Sequence, residues 1–375
     1  MPRARKDQGE PAEPHGFTRR VQRTGSSSLS ITLPKAWTDS MNLQTGDSLR
    51  FRDLGAGRLE ISPVHAEAPA ERRQRLLRID ASRTPPKLLA RLLVGAYITG
   101  QDQIVVTSRS GLTPEQRQEV QRTVAHVLGM TVVEEETGGV EVQNFIDPGR
   151  YQFHRLMSQV VRMLHAELEA CRTVLSGGHR DALQPLAGME DEIDRFYLLM
   201  VRQLLLSSDD FQIARDIGVE SHHYQIGYRL VAKVLEVMGD LVSGVAHEIG
   251  GNVGGLQRLP KPSKSDLVAL IGRVEQLLDR TMDAFAGLAV VDANTNLNQI
   301  DEALAADYAL GDALSRRVAD RHVAIAAQRI VSNLLMALEM LVIVNEVTIN
   351  RSVEPETVAK TDRSVTISSR EPADR

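Results

Sequence analysis

The chain has 375 residues, of which 42% are apolar and 4% aromatic, and its net charge is −5. This length and apolar content exclude a disordered protein and predict two to four domains with packed cores. Cys171 is the only cysteine, which excludes a disulfide within one chain and a cysteine-based metal site. We identify no signal peptide and no apolar stretch long enough to span a bilayer, so we expect a cytoplasmic protein without membrane insertion.

The N-terminal part predicts a flexible polar tail over residues 1–16 and a small β module over residues 17–63. The segments FTRRVQR and SLSITLP alternate as strands do, KAWTDSMNL predicts a short helix, and SLRFRDL and RLEIS predict two more strands. So few short elements bury little apolar surface. We therefore expect the module to complete its core with a second copy of itself.

Positive charge is concentrated in this module. Residues 17–63 hold seven Arg or Lys against four Asp or Glu, a net charge of +3, which leaves −8 for the rest of the chain. Strand alternation predicts that Arg19 and Arg23 share a face, and the turn from Thr24 to Ser28 offers hydroxyl and backbone N–H groups to phosphate oxygens. Two interpretations stay open: a DNA-binding surface, or a hairpin edge that charge protects from aggregation.

The next segment, residues 75–145, predicts a small α/β sandwich with the order βαβαββ. RLLRID and QIVVTS predict strands, and each is followed by a helix that has proline near its start. Thr113 is the expected N-cap of the second helix. MTVVEEE and GVEVQNF then predict a hairpin that turns at residues 138–139.

From residue 148 the sequence predicts helices only, because apolar residues recur at helical spacing. The stripe begins with Phe153, Leu156, Val160 and Leu164. The segment LPKPSKS, residues 259–265, is the best predicted linker, and it divides the region into two three-helix bundles, 148–256 and 263–350. Glycine pairs at 177–178, 250–251 and 254–255 predict helix ends, and residues 351–375 predict a polar tail.

Two acidic pairs stand out in the first predicted bundle. Glu190 and Asp194 lie four residues apart, as do Glu236 and Asp240, so each pair shares a helix face. If their helices pack side by side, four carboxylates converge, and such a cluster repels itself unless it binds a cation or retains protons. The alternative is two solvated acidic faces. His247, seven residues after Asp240, shares the expected face.

No sequence motif of an enzyme is present: we find no nucleophile elbow, phosphate-binding loop, HExxH pattern or dinucleotide fingerprint. The prediction is therefore a protein that is not an enzyme.

The N-terminal module resembles the AbrB/SpoVT family of swapped-hairpin DNA-binding domains. The resemblance is carried by R-x-V-Q-x-T-G-S-S-S, then S-I-T-L-P-K-x-W and L-x-x-G-D-x-L, over about residues 17–63. It implies a homodimer that interlaces its hairpins. The residues that the resemblance implies as DNA contacts are Arg19, Arg20, Arg23, Ser26, Ser27, Ser28 and Lys35.

The helical part resembles the PhoU family of phosphate-uptake regulators, which consist of two three-helix bundles with metal-binding E/D-x-x-x-D motifs. LEVMGDLV follows the family's L-E-R-I-G-D pattern, with Val237 in place of arginine. The resemblance implies a metal ion (Fe, Mn, Zn or Mg) at Glu190, Asp194, Glu236 and Asp240. The second repeat has Gln328 and Ser332 where carboxylates are expected.

This domain order is similar to that of the AbrB–PhoU fusion regulators of archaea. It implies a transcriptional regulator of phosphate uptake whose head binds operator DNA as a dimer and whose tail senses phosphate status. The first alternative is a signalling adaptor that docks on a phosphate-transporter ATPase or a sensor kinase, with the head serving for dimerisation. The second alternative is the antitoxin of a toxin–antitoxin pair.

Overall fold

The computed structural model describes residues 18–25, 28–53, 59–64, 75–219 and 222–353. The chain divides into two compact units, residues 1–74 and 75–375. The predicted tails, residues 1–16 and most of 351–375, lie outside the described residues.

The first unit contains two hairpins and one short helix. Strands β1 (Gln22–Thr24) and β2 (Ser28–Ser30) pair antiparallel, helix α1 spans Lys35–Ser40, and β3 (Leu49–Asp53) pairs antiparallel with β4 (Leu59–Pro63). The four predicted strands and the predicted helix are present. None of the residues whose burial is described between 18 and 64 is buried, so a single copy of this unit has no core of its own.

The second unit begins with an α/β layer. Its elements are β5 (Leu76–Asp80), α2 (Leu88–Ile98), β6 (Gln103–Thr107), α3 (Pro114–Ala125), β7 (Met130–Glu136) and β8 (Gly139–Asn144). The sheet order is β5-β6-β8-β7, with β5 and β6 parallel and the other pairs antiparallel. This is the predicted βαβαββ order. Alternate residues of the strands form one core with α2 and α3.

The two helices of this layer begin in different ways. Thr113 caps α3 in a reciprocal capping box with Gln116, as the Thr-Pro pair predicts. The prolines before α2 lie outside that helix, which starts at Leu88 after Lys87 in a left-handed conformation. Proline at the start of the segment therefore marks the turn that precedes α2.

The rest of the second unit is helical, as predicted. The helices are α4 (Phe153–Leu175), α5 (Met189–Asp209), α6 (Phe211–Ile217), α7 (His222–Gln257), α8 (Lys261–Gly287), α9 (Val290–Asp307), α10 (Leu310–Arg317) and α11 (Arg321–Ser352). Helices α4, α5 and α7 pack on one another and form the first helical group. Helices α8, α9 and α11 pack on one another and form the second helical group.

A continuous apolar core joins the two helical groups. Helices α7 and α11 run antiparallel along their length, and glycines of α7 permit their close approach. A Cβ atom at Gly227 would lie 2.9 Å from Val347, and one at Gly255 would clash with Val323. The glycines at 250–251 and 254–255, predicted at a helix end, lie inside α7 beside a kink at Asn252. The backbone of Asn252 is non-helical, so the two glycine pairs flank a break in the helix, and Gly255 also permits close contact with Val323.

The predicted linker at residues 259–265 is shorter in the structure. Helix α7 ends at Gln257 and α8 begins at Lys261, with Pro260 as its N-cap and Pro262 in its first turn. Proline fits the first turn of a helix because that turn's N–H groups have no intrahelical partner. The two prolines therefore start a helix.

The α/β layer is held against α5 by a buried arginine. Arg202 is fully buried, and its guanidinium donates hydrogen bonds to the carbonyl oxygens of Tyr97 and Gln101 and to Asp102. Its guanidinium also lies 5.0 Å from the ring centroid of Tyr97. The segment predicted as a separate domain is thus packed against the first helical group.

Helix α11 is long and apolar enough to cross a membrane, judged by length and composition alone, and no other described helix is. In the structure it packs against α7, α8, α9 and α10. One face, which includes Ile330, Leu334, Leu338 and Leu341, is buried in the core. This is the position of a central core helix.

Candidate DNA interface and acidic cluster

The first hairpin positions some of the predicted DNA contacts. In the register of β1 and β2, Arg23 lies opposite Leu29 and Thr24 opposite Ser28. Since side chains alternate along a strand, Arg23 and Ser28 lie on opposite faces. Thr24 and Ser30 share a hydrogen bond of 2.8 Å between their hydroxyls on the Ser28 face. Gly25 turns the chain with φ at +78°.

The remaining predicted contacts lie outside the strands of the hairpin. Arg19 and Arg20 precede β1, which begins at Gln22, so the alternation that placed Arg19 on the face of Arg23 does not extend that far. Lys35 is the first residue of α1. Arg19, Arg20, Arg23, Ser28 and Lys35 are all exposed. Ser26 and Ser27 lie outside the described residues.

Apolar side chains are also uncovered in this unit. Leu29 is 71% exposed, Phe51 and Val21 are each 59% exposed, and Ile31 is 50% exposed. Exposed apolar residues in such a concentration mark an interaction surface. The unit thus combines exposed cations with apolar side chains that a single copy leaves in solvent.

The two predicted acidic pairs lie on neighbouring helices in the second unit. Glu190 and Asp194 are on α5, Glu236 and Asp240 are on α7, and these helices pack together. Gly239 permits the close approach, because a Cβ atom there would lie 3.1 Å from Cγ2 and Cδ1 of Ile193. The glycine of the LEVMGD segment therefore brings the two pairs together.

The carboxylates of this acidic cluster repel one another. Burial raises the pKa of Glu190, of Asp194 and of Glu236, and the nearby Asp240 carboxylate raises each of these pKa values further. Like charges in a partly desolvated site oppose ionisation in this way. The two acidic pairs therefore lie near enough to raise one another's pKa values.

Two basic side chains of the protein itself lie against the cluster. The Lys233 ammonium forms an ion pair with Glu236 on the same helix. His126, which follows α3 of the α/β layer, lies 3.5 Å from Asp194 and 3.7 Å from Asp191. Residues of the α/β layer thus reach the acidic cluster directly.

A fifth carboxylate, Glu167 of α4, was not identified from the sequence. It is 3% exposed, and burial raises its pKa to about 7. The hydroxyl of Ser243 donates to it at 3.0 Å, and the Glu190 carboxylate raises its pKa further. The sequence pattern could have indicated this residue, because Glu167 occupies a position in the apolar stripe of α4, between Leu164 and Cys171.

A cavity of about 460 Å³ opens beside Glu167 and Glu190. Ser243 and His247 of α7 line it, as does Arg180 from the 3-10 segment between α4 and α5. His247 therefore lies on the side of α7 that faces the acidic residues, as its spacing predicts. The cavity gives solvent access to the most deeply buried carboxylate of the cluster.

The fit of a metal ion can be judged from these contacts. Asp194 Oδ1 is buried and accepts no hydrogen bond from the described part of the chain, which suits an added cation. Glu236, however, is already ion-paired with Lys233, and His126 already contacts Asp194. No three His, Cys, Asp or Glu side chains among the described residues are arranged to hold a metal ion. The metal ion stays a prediction.

The second helical group has no comparable acidic pair at the predicted positions. Gln328 and Ser332 are exposed on α11. Asp307 is buried and paired with Arg273 at 2.6 Å. The group also contains a neutral buried network, in which Asn345 donates to Thr281 at 2.9 Å and accepts from Asn296 at 3.3 Å.

Comparison with known proteins gives a family for the N-terminal segment. The family described as "Antidote-toxin recognition MazE, bacterial antitoxin" matches residues 22–68. The matched segment includes Arg23, Ser28 and Lys35 and begins after Arg19 and Arg20. No curated protein and no solved structure matches the chain.

The match supports the AbrB-like part of the resemblance, because the MazE family is of the AbrB-like swapped-hairpin type. Domains of this type typically form dimers and bind DNA. The resemblance of the helical part to the PhoU family has no support from these comparisons and stays a prediction. The chain thus contains a MazE/AbrB-like domain of regulator type near its N-terminus, followed by a mostly helical region.

Proposed function

We propose that this protein is a DNA-binding transcriptional regulator of phosphate uptake. Its N-terminal unit binds operator DNA as a homodimer, and its helical part relays phosphate status to that unit. The match of residues 22–68 to a MazE/AbrB-like domain carries the DNA-binding part of this proposal. The phosphate part rests on the resemblance of the helical region to the PhoU family.

Dimerisation follows from the absence of a core in one copy. None of the residues with described burial between 18 and 64 is buried, while Leu29, Phe51 and Val21 are largely exposed. A second copy covers these apolar side chains and supplies the core that one copy lacks. A two-fold symmetric dimer binds a near-palindromic operator.

A substitution at Phe51 tests the dimer. Phe51→Glu places a charge on a side chain that is 59% exposed in one copy, so it is tolerated unless another chain covers it. We expect it to abolish the dimer in light-scattering measurements of mass. Leu205→Glu is the matched control, because Leu205 is an exposed leucine of α5 in the second unit. A Phe51→Glu protein that stays dimeric contradicts the proposed interface.

DNA contact follows from the local positive charge. Residues 17–63 carry +3 in a chain of −5, and Arg19, Arg20, Arg23 and Lys35 are exposed. Such cations bind phosphate oxygens and release counterions, which gives an affinity that falls with salt. Arg23 and the cations around the hairpin hold the DNA backbone.

A gel-shift assay with upstream regions of phosphate-transport genes tests this function. We expect Arg19→Ala and Arg23→Ala each to weaken binding and to reduce its salt dependence. Arg122→Ala, which removes one exposed arginine from α3, is the control for net charge and leaves binding unchanged. The absence of sequence-selective binding at physiological salt would contradict the proposal.

Genome-wide mapping of bound DNA in high and low phosphate tests the link to phosphate. We expect occupancy at phosphate-transport promoters that changes with phosphate supply. Occupancy that is the same in both conditions removes the phosphate part and leaves the DNA-binding part standing.

A second candidate function is that of an antitoxin, which the description of the matching family favours. An antitoxin neutralises a toxin that is toxic when expressed alone. This function leaves the described part of the second unit, residues 75–219 and 222–353, without a role. A small neighbouring gene whose toxicity this protein suppresses would support it.

A further inference from the structure

A groove of about 620 Å³ runs beside the N-terminal half of α4. Its walls come from the segment just before α4, from α4 itself, from Phe196 of α5 and from Asp216 of α6. The groove lies within the second unit. Its volume is that of a site for a small organic ligand.

Three arginines line this groove: Arg150, Arg155 and Arg162. All three are exposed, and none is ion-paired with a carboxylate of the described chain. Arg162 donates to Gln159, a neutral neighbour. Arg117 of α3, by contrast, is paired with Glu135 at 2.6 Å. The groove is thus a concentration of unneutralised guanidinium groups.

The spacing of these arginines follows one face of α4. Gln152, Arg155, Gln159 and Arg162 are three or four residues apart, so they form one stripe. Arg155 and Arg162 are two turns apart, about 10 Å along the helix axis. A linear chain of phosphates can contact several of these side chains, and each guanidinium fork matches two phosphate oxygens.

The part of the groove formed by the residues just before α4 has additional chemistry. Tyr151 is exposed there, and Asp216 lies near Gly149, since a Cβ atom at Gly149 would be 3.3 Å from Asp216 Oδ2. Asp216 also accepts a hydrogen bond from Gln212 at 2.8 Å. An aromatic ring stacks on a nucleobase, and a carboxylate accepts hydrogen bonds from ribose hydroxyls.

We propose that this groove binds a nucleotide that carries two or three phosphates. The nucleoside lies at the end formed by Tyr151 and Asp216, and the phosphates extend along α4 toward Arg155 and Arg162. The site is in the second unit and uses none of the predicted DNA contacts, so the assignment does not rest on the proposed regulatory function.

Isothermal titration calorimetry of the full chain at physiological salt tests this assignment. The probes are ATP, AMP, inorganic tripolyphosphate and inorganic phosphate. We expect one ATP per chain, with AMP, tripolyphosphate and inorganic phosphate each at least about tenfold weaker. Arg155→Gln and Arg162→Gln should each weaken ATP at least about tenfold, the loss of one charge-assisted hydrogen bond. Both arginines are exposed, and unchanged circular dichroism verifies that the variants fold.

Two further variants separate the nucleotide from a simple polyanion. Tyr151→Leu should weaken ATP and leave tripolyphosphate unchanged, because only ATP has a base to stack. Arg122→Gln, the matched arginine of α3, should bind ATP as the unaltered protein does. The assignment is overturned by the absence of ATP binding, by tripolyphosphate binding as tightly as ATP, or by an equal loss in Arg122→Gln. Displacement of ATP by a short DNA duplex through the same arginines would assign the groove to nucleic acid instead.

Discussion

The two helical groups differ in the polar side chains that lie between their helices. The first group contains the acidic cluster of Glu167, Glu190, Asp194, Glu236 and Asp240, and four of these five carboxylates have raised pKa values. The second group buries neutral Asn296, Asn345 and Thr281 in mutual hydrogen bonds. The neutral network satisfies its groups, whereas the acidic cluster retains repulsion.

This difference separates a structural polar core from a candidate site. Buried amides and hydroxyls that hydrogen bond to one another fix the packing of helices at little cost. Carboxylates that raise one another's pKa values destabilise the fold, and such perturbed groups concentrate at functional sites. The first group, which also contacts His126 of the α/β layer, is therefore the better candidate for a functional site.

The largest expected loss of stability comes from adding a charged side chain to the buried hydrogen-bond network of the second group. Asn345→Asp loses the donor that binds Thr281 Oγ1 and Leu341 O and buries a carboxyl without a cation. We expect a loss of about 3 kcal/mol in the free energy of unfolding at pH 7, measured by urea denaturation. The loss is smaller at pH 4, where the unfolded chain also retains its proton. Asn298→Asp, at an exposed position of α9, is the control and should change stability little.

The next effect comes from separating the two acidic helices. Gly239→Leu places a side chain against Ile193, where even a Cβ atom would be at 3.1 Å. We expect a loss of about 2 kcal/mol in the free energy of unfolding from overpacking. Gly272→Leu on α8, where nothing lies within 4 Å of a Cβ atom, is the control. Equal stability of the two variants would show that α5 and α7 do not need close contact.

Glu167 gives a pH dependence to the first group. Its folded-state pKa is raised to about 7, so between the pKa of the unfolded chain and about 7 the folded protein binds more protons, and Glu167 lowers stability as pH rises through this window. Glu167→Gln removes this effect. We expect the variant to gain on the order of 2 kcal/mol relative to the unaltered protein between pH 4 and pH 8.

The measurement is the free energy of unfolding of both proteins across this pH range. Glu169→Gln, on the same helix, is the control and should leave the difference between pH 4 and pH 8 unchanged. A Glu167→Gln protein with the same pH dependence as the unaltered chain contradicts the raised pKa of Glu167 in the folded state.

The smallest effect comes from relieving repulsion at the exposed edge of the cluster. Asp240→Asn removes the charge that raises the pKa of Glu190 and of Asp194. We expect both pKa values to fall in NMR titrations and stability at pH 7 to rise by a few tenths of a kcal/mol, since Asp240 is exposed and screened. Asp301→Asn, an exposed acid of α9, is the control.

Elemental analysis of the same Asp240→Asn protein tests the predicted metal ion. If a metal is bound there, its content falls with Asp240→Asn and with Glu236→Ala. Unchanged metal content in both variants shows that these carboxylates are not its ligands.

The sequence by itself determined what local chemistry decides. The Thr113 cap of α3, the βαβαββ order of elements along the chain and the apolar stripe of α4 are each specified within a few residues. Capping, strand alternation and helical periodicity all act at short range. The acidic pairs were found for the same reason, since i and i+4 share a face wherever the helix lies.

Only the tertiary structure decided which faces meet. Glu167 was missed because its burial depends on α5 and α7, far along the chain, and His126 because the α/β layer docks on α5 through Arg202. The glycines near 250 flank a helical break at Asn252, as the sequence predicts, but the contact of Gly255 with Val323, about 70 residues away, was not foreseen. A short stretch of sequence contains little information on how distant segments pack. That packing determines which side chains are buried, how their charges interact and which residues surround a site.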